Sequence, residues 1–145
     1  MSNRSTEPII HEYTGTSYRK NTNSGTRYVY RPLFMIGLSH KDNKENIICL
    51  VDSGADNNLF PADFGRRIGL KIEDGKPGST AGITDEKMVT YKHKVKLWVN
   101  EKSFYVPVDF CDGFNHATPL LGQKGFFDLF NKVVFKKEEK IFELH

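Results

Sequence analysis

The sequence predicts a mainly β domain with one or two short helices, and three patterns support this prediction. Apolar residues alternate with polar ones through residues 89–99, which is the period of a half-buried strand. Short apolar runs at 47–51 and 119–121 each lead into a turn that contains glycine. The 11 Phe and 6 Tyr residues favour strands, because aromatic rings fit the pleated surface of a sheet.

The chain of 145 residues is long enough for one hydrophobic core and too short for two full lobes with separate cores. Its composition changes at Tyr28, before which Ser, Thr, Asn, Gly and Arg predominate. We therefore predict a flexible N-terminal arm at residues 1–27 and a single domain at residues 28–145.

The net charge of +3 comes entirely from the first 31 residues, in which five Arg and Lys residues outnumber two Glu residues. The rest of the chain is balanced, with 16 basic and 16 acidic side chains. A nucleic-acid-binding domain usually concentrates Lys and Arg on one stripe of its folded surface. No nucleic-acid partner is therefore expected.

Cys49 and Cys111 have neither the spacing of a metal site nor the number of a disulfide scaffold, so both are predicted to behave as small apolar residues. No metal or other cofactor is expected. No stretch approaches the roughly 18 apolar residues that a membrane helix needs, and residues 1–7 lack the apolar core of a secretory signal. The sequence thus favours a cytoplasmic location without a membrane partner.

The first half of the domain combines strand and helix signals. The apolar run at 47–51 is continuous, which predicts a strand buried on both faces. Pro61 suits the start of a helix and Gly69 its end. The predicted elements are a strand within 28–38, a polar turn at 40–46, a strand at 47–51, a helix at 62–68, and strands at 70–80 and 87–99 around a glycine-containing tip at 81–86.

The second half is predicted to be mainly β as well. Its predicted elements are a strand around 104–108, a polar loop near 112–115, an apolar run ending at Gly122, a helical turn at 125–130, and a closing hairpin of 133–135 and 141–144. An apolar run, a glycine turn and a short helix thus occur twice, at 50–68 and at 120–130. This repetition suggests two related half-units.

The first apolar run ends at Asp52-Ser53-Gly54-Ala55, which resembles the active-site segment of retropepsin-like aspartic peptidases. The tripeptide alone is more often an ordinary turn, because Asp, Ser and Gly all favour turns. Two more features occur in the order of that family, namely a flap-like hairpin around Gly82 and the segment Leu120-Leu121-Gly122. The long C-terminal hairpin is more similar to bacterial and ubiquitin-shuttle relatives than to retroviral enzymes.

The resemblance implies a closed barrel of the acid protease fold, with a flap hairpin and one catalytic aspartate per subunit of a homodimer. Asp52 would be that aspartate, and the enzyme would be an aspartic endopeptidase acting on a peptide or protein substrate. A water activated between the two Asp52 carboxylates would attack the peptide bond, without a metal or a covalent intermediate.

The resemblance also assigns roles to the neighbouring residues. Ser53 and Gly54 would support the active-site loop, and Leu120, Leu121 and Gly122 would form the second apolar loop beside it. The residues that would bind substrate are Ala55, Asp56, Gly82 and Ile83.

One departure from the retroviral pattern concerns the two residues after Gly122. Retroviral enzymes usually have Arg and Asn there, whereas this chain has Gln123 and Lys124. A compact ammonium group cannot reproduce the bidentate fork of an arginine, so the support of Asp56 differs from the family pattern.

Two other functions therefore stay open at the level of sequence. The first is a non-catalytic peptide-binding or dimerisation module on the same fold. The second is a small β-barrel with an unrelated ligand, in which Asp52 would lie far from any two-fold axis.

Overall fold

The structure is a computed structural model, and it describes residues 7–19, 25–81, 87–114 and 117–145. Most of these residues lie in β-strands, as the sequence predicted. The strands are β1 (Ile9–Glu12), β2 (Thr14–Arg19), β3 (Thr26–Arg31), β4 (Leu33–His40), β5 (Asn43–Val51), β6 (Leu59–Pro61), β7 (Lys76–Ala81), β8 (Lys87–Val99), β9 (Lys102–Cys111), β10 (Leu120–Leu121), β11 (Val133–Lys136) and β12 (Ile141–Leu144). The helical elements are α1 (Ala62–Arg67) and 3-10 turns at Ile72–Asp74, Asp112–Phe114 and Phe127–Leu129.

The central sheet has seven strands in the order β4-β5-β10-β6-β9-β8-β7. Strand β8 also pairs with β4, where Leu38 lies opposite Leu97. Six strands, β4, β5, β10, β6, β9 and β8, are therefore joined in a closed ring of pairings, and β7 extends from the first half of β8. A ring has few free strand edges, which protects it from pairing with other chains.

The hydrophobic core fills the interior of this ring. Alternate residues of the long strands point inward, since side chains in a strand alternate between its two faces. Burying each of these side chains contributes roughly 1.5 to 3 kcal/mol. The core includes Phe34, Ile36, Leu38, Phe60, Val95, Leu97, Val99, Val106, Val108, Phe110, Leu121 and Phe126. Cys49 and Cys111 are also buried.

Strand β5 differs from its prediction in one respect. Ile47, Cys49 and Val51 are buried, but the side chain of Ile48 is 52% exposed. It pairs across the strands with Met35, which is 54% exposed. The prediction of burial on both faces was wrong because the core covers only the inner face of the ring.

The turn before β5 is also shorter than predicted. Only Lys41 and Asp42 form the turn, and Lys41 has the positive φ of 52° that a tight connection requires. The polar residues from Asn43 onward already belong to β5 and pair with β4. Their polarity led to the prediction of a loop. They are instead strand residues in a part of the hairpin that faces solvent.

Helix α1 follows the predicted course. Pro61 precedes it, Gly69 follows it with a φ of 88°, and the buried face of the helix includes Gly65. A side chain at Gly65 would collide with Ile72 and Phe110, so glycine permits this close packing. The strand predicted at 70–80 begins only at Lys76, because Ile72 is buried in a 3-10 turn beneath the helix.

Two smaller sheets flank the ring. Strands β1, β12 and β11 form one of them, and β2 and β3 form a separate hairpin. Ile9 packs against the core and pairs with Leu144, which explains why part of the predicted N-terminal arm is ordered as a strand. The division into an arm and a domain at residue 28 stays a prediction. None of the helices in the described ranges is long and apolar enough to cross a membrane.

Candidate active site

Asp52 lies immediately beyond the end of strand β5, in a loop that curls back on the aspartate. The N–H of Gly54 donates to Asp52 Oδ1 at 2.9 Å, and the N–H of Ala55 donates to the Asp52 carbonyl at 3.2 Å. Asp52 itself is half-buried, whereas Ser53 and Gly54 are exposed. The loop therefore presents a carboxylate that is anchored to the backbone and still accessible from one side.

The second apolar loop lies directly beside the first. Strand β10 runs parallel to β5, with Leu120 opposite Leu50 and Leu121 opposite Val51. The N–H of Asp52 donates to the Leu121 carbonyl at 3.0 Å. The structure thus places Leu120, Leu121 and Gly122 next to the Asp52 loop.

Gly122 lies tightly against the first loop. A Cβ atom there would lie 2.7 Å from the carbonyl oxygen of Ala55 and would also collide with the carbonyl of Asn57. The N–H of Gly122 donates to Oδ1 of Asn58 at 2.9 Å. Only glycine allows two stretches of backbone to come this close.

Asn58 is a fully buried polar residue that sequence reasoning missed. Its Oδ1 accepts from Gly122, and its Nδ2 donates to the carbonyl of Pro107 at 3.3 Å. It therefore connects the Asp52 loop, the second loop and strand β9. The signal in the sequence was a polar amide directly before the apolar pair Leu59 and Phe60.

Gln123 and Lys124 take part in the contact with the Asp52 loop. Their backbone N–H groups donate to the carbonyls of Ala55 at 2.8 Å and of Asp56 at 2.9 Å. The side chain of Gln123 donates from Nε2 to the Ser53 carbonyl at 2.8 Å. Among the described residues, no ion pair joins Lys124 to Asp56, whose side chain is exposed.

The predicted flap is described only in its stem. Strands β7 and β8 pair from Lys76 opposite Lys92 to Ala81 opposite Lys87, as expected for a long hairpin. Gly82 and Ile83 lie outside the described residues, so their predicted contacts with substrate stay predictions.

No protein-family model and no curated protein matches the sequence. The structure is similar to a solved structure described as a retropepsin-like aspartic protease from Rickettsia conorii, with a TM-score of 0.64 and 15% identity. The match covers 97% of this chain and 100% of that chain. The chain has a retropepsin-like fold. A further match is EIAV protease complexed with the inhibitor HBY-793, with a TM-score of 0.49 and 16% identity over 72% of this chain and 88% of that one.

Within this retropepsin-like fold, a small pocket opens beside strand β5, which ends directly before Asp52. Its volume is about 100 Å³, and its lining residues are Thr16, Arg31, Leu33, Leu50 and Thr118. Leu50 is the next-to-last residue of β5 and precedes Asp52 by two positions. That spacing could have identified Leu50 from the sequence, but Thr16 and Arg31 come from the β2–β3 hairpin and could not have been found in this way.

An ion pair lies where β8 passes from the flap stem into the ring. Lys92 on β8 is opposite Asp109 on β9, with Nζ 3.9 Å from Oδ1. Burial raises the pKa of Asp109 above its usual value, and the nearby ammonium of Lys92 opposes this. Because Lys92 also pairs with Lys76 on β7, this position joins three strands.

Two other kinds of site chemistry find no support in the described residues. Burial raises the pKa of the Cys49 thiol, which keeps it protonated and unreactive. In residues 7–19, 25–81, 87–114 and 117–145, no three His, Cys, Asp or Glu side chains are grouped as metal ligands would be.

Proposed function

We propose that this chain is one subunit of a homodimeric aspartic endopeptidase, with Asp52 as its catalytic residue. The observation that carries the proposal is the geometry of Asp52. Its carboxylate follows a core strand, accepts the Gly54 N–H, and stays accessible within a retropepsin-like fold. Each chain has one such loop, so a pair of carboxylates requires two chains.

The proposed reaction uses the two carboxylates differently. Two acids held close together cannot both ionise cheaply, so the pair shares one proton. The ionised Asp52 takes a proton from a bound water as that water attacks the peptide carbonyl. The protonated Asp52 of the other subunit donates to the oxygen on which negative charge develops.

The proposed substrate is a peptide in extended conformation. It would lie between the flap hairpin and the paired loops as an added strand, bound through its main chain. Ala55, Asp56, Gly82 and Ile83 are the proposed contacts, with the pocket beside Leu50 receiving one side chain. The cytoplasmic location expected from the sequence stays a prediction.

The first test compares peptide cleavage by the wild-type protein and by Asp52→Asn. The amide has nearly the shape of the carboxylate but cannot act as a general base, so we expect turnover to fall about a thousandfold or more. Asp42→Asn, in the exposed turn before β5, is the matched control and should leave turnover unchanged. Equal rates for wild type and Asp52→Asn would contradict the catalytic role.

The second test asks whether both subunits contribute to one site. Mixing equal amounts of wild type and Asp52→Asn, unfolding them together and refolding should leave about a quarter of the dimers with two Asp52 carboxylates. If the pair is required, activity per wild-type chain falls by about half. Unchanged activity per wild-type chain would mean that each chain acts without the carboxylate of its partner.

A non-catalytic peptide-binding module is the second candidate. It is favoured by the exposed Asp56, which has no ion-pair partner among the described residues. Under this alternative, Asp52→Asn binds peptide as well as the wild type does. Neither form would then cleave peptide in acid or at neutral pH.

A further inference from the structure

The side chain of Gln123 reaches the Asp52 loop at one particular peptide bond, that between Ser53 and Gly54. Its Nε2 donates to the Ser53 carbonyl oxygen at 2.8 Å. The N–H of the same peptide unit belongs to Gly54 and donates to Asp52 Oδ1 at 2.9 Å. The amide of Gln123 and the carboxylate of Asp52 are therefore joined through a single planar peptide group.

This arrangement has two physical consequences for the carboxylate. The oxygen and the hydrogen of a peptide unit lie in one plane, so a bond that holds the oxygen also aims the N–H. A bond accepted by the oxygen also polarises the unit and strengthens its N–H as a donor, by roughly 10 to 30%. Because Gly54 is adjacent, the peptide could otherwise rotate at little steric cost.

We propose that Gln123 is a positioning residue that orients the Asp52 carboxylate through the Ser53–Gly54 peptide. Its effect on catalysis rests on the proposed function, whereas its effect on the Gly54 N–H does not. In this chain an amide donor takes the position after Gly122 where retroviral enzymes usually have arginine.

The two loops are held together by backbone hydrogen bonds, so the Gln123 side chain can be changed without separating them. The Gln123 N–H bonds the Ala55 carbonyl at 2.8 Å, and the Lys124 N–H bonds the Asp56 carbonyl at 2.9 Å. Neither bond involves the Gln123 side chain, which belongs to an exposed residue. Replacing the side chain should therefore leave the two loops joined and the fold intact.

The deciding experiment uses Gln123→Glu, which keeps the size of the side chain but replaces the donor by an acceptor. Gln123→Arg retains N–H donors and serves as the conservative rescue. Lys124→Gln is the matched control on the neighbouring exposed residue. The first measurement is hydrogen exchange of the Gly54 amide by NMR on the full chain, which does not depend on any cleavage activity.

We expect Gly54 exchange to be about tenfold faster in Gln123→Glu, and close to wild type in Gln123→Arg and Lys124→Gln. The melting temperatures of all four proteins should agree closely. An unchanged Gly54 amide in Gln123→Glu would overturn the proposal, as would equal acceleration in Lys124→Gln.

The second measurement is steady-state peptide cleavage. Gln123→Glu should lower kcat about tenfold with little change in KM, because the peptide that Gln123 orients is aimed at the reacting carboxylate. Gln123→Arg should restore most of the rate. A rise in KM at constant kcat would overturn the positioning role. If the wild type cleaves no peptide, the proposed function fails, while the Gly54 measurement still decides whether Gln123 orients this peptide.

Discussion

Strands β5 and β10 lie side by side in parallel, and each leads into a loop with glycine and then into a helical segment. Continuing their register beyond Val51 and Leu121 sets Asp52 in the first loop beside Gly122 in the second. The first loop thus carries a carboxylate, and the second carries a backbone position without any side chain. The first loop thus offers an accessible carboxylate, whereas the second offers close packing.

The segments after the two loops also differ. After the first loop, α1 is joined to the 3-10 turn following β9 by the bidentate pair of Arg66 and Asp112, with contacts of 2.7 and 2.9 Å. After the second loop there is only a 3-10 turn, and the Gly125 N–H just before it donates to Asp128 Oδ1 at 3.1 Å. The two half-units suggested by the sequence therefore share a plan, although only the first contains an α-helix in the described residues.

The largest effect on stability is expected from Gly122→Ala. The new methyl group would collide with the carbonyls of Ala55 and Asn57, which belong to backbone and cannot move aside independently. We expect the free energy of unfolding to fall by about 3 kcal/mol, measured by urea denaturation. A loss below about 1 kcal/mol would show that the loops can separate without penalty. Gly122 would then not be required for their close packing.

Asn58→Ala should have the next largest effect. It leaves the Gly122 N–H and the Pro107 carbonyl without their partner inside the protein. The expected loss in the free energy of unfolding is about 2 kcal/mol. Asn57→Ala, at the half-buried neighbouring position, is the control and should cost clearly less. Equal losses for the two variants would mean that Asn58 has no special role.

Gly54→Ala tests the first loop in the same way as Gly122→Ala tests the second. A Cβ atom at Gly54 would lie 3.3 Å from Asp52 Oδ1, so a side chain rather than the backbone has to move. We expect a stability loss below about 1 kcal/mol, together with a marked fall in peptide cleavage because the carboxylate is displaced. A variant that is strongly destabilised but fully active per folded molecule would reverse the assignment of roles.

The smallest effect is expected at the pair that joins α1 to the turn after β9. Hydrogen bonds from Arg66 lower the pKa of Asp112 below its usual value, so the pair stabilises the fold above the unfolded pKa of about 4. This contribution is lost as the pH falls through the lower, folded pKa. Because both side chains are exposed, Asp112→Asn should cost only about 0.5 kcal/mol near neutral pH.

Urea denaturation at several pH values checks this prediction. The difference between wild type and Asp112→Asn should shrink towards zero in acid. Asp63→Asn, which removes a single contact of 3.1 Å to the same arginine, should cost less at neutral pH. A difference that grows in acid would contradict the stated direction of the Asp112 pKa.

Local sequence patterns predicted several elements closely. Strand β8 spans residues 87–99 as predicted, because its alternation follows one strand and needs no knowledge of its neighbours. Helix α1 ends within one residue of its prediction, since Pro61 and Gly69 act through their own backbone preferences. The 3-10 turn at 72–74 was missed because Ile72 is drawn under the helix by tertiary packing.

The sequence likewise identified only some residues of the candidate site. Asp52 and Gly122 belong to short segments whose order in the chain resembles a known family. Asn58 and the side chain of Gln123 were missed, because their partners are 64 and 70 residues away in the chain. Hydrogen bonds over such separations leave no periodic signal in the sequence.

By itself, the sequence determined the mainly β class, the long strand of the hairpin and the position of the aspartate at the end of a core strand. These features depend on the alternation of side chains and on the conformations that Gly and Pro allow, which are properties of neighbouring residues. Only the tertiary structure decided which face of β5 is exposed, which residues line the pocket beside Leu50, and which amide holds the Ser53–Gly54 peptide. Burial and hydrogen bonding depend on the segment that packs opposite each residue, and that segment is distant in the chain.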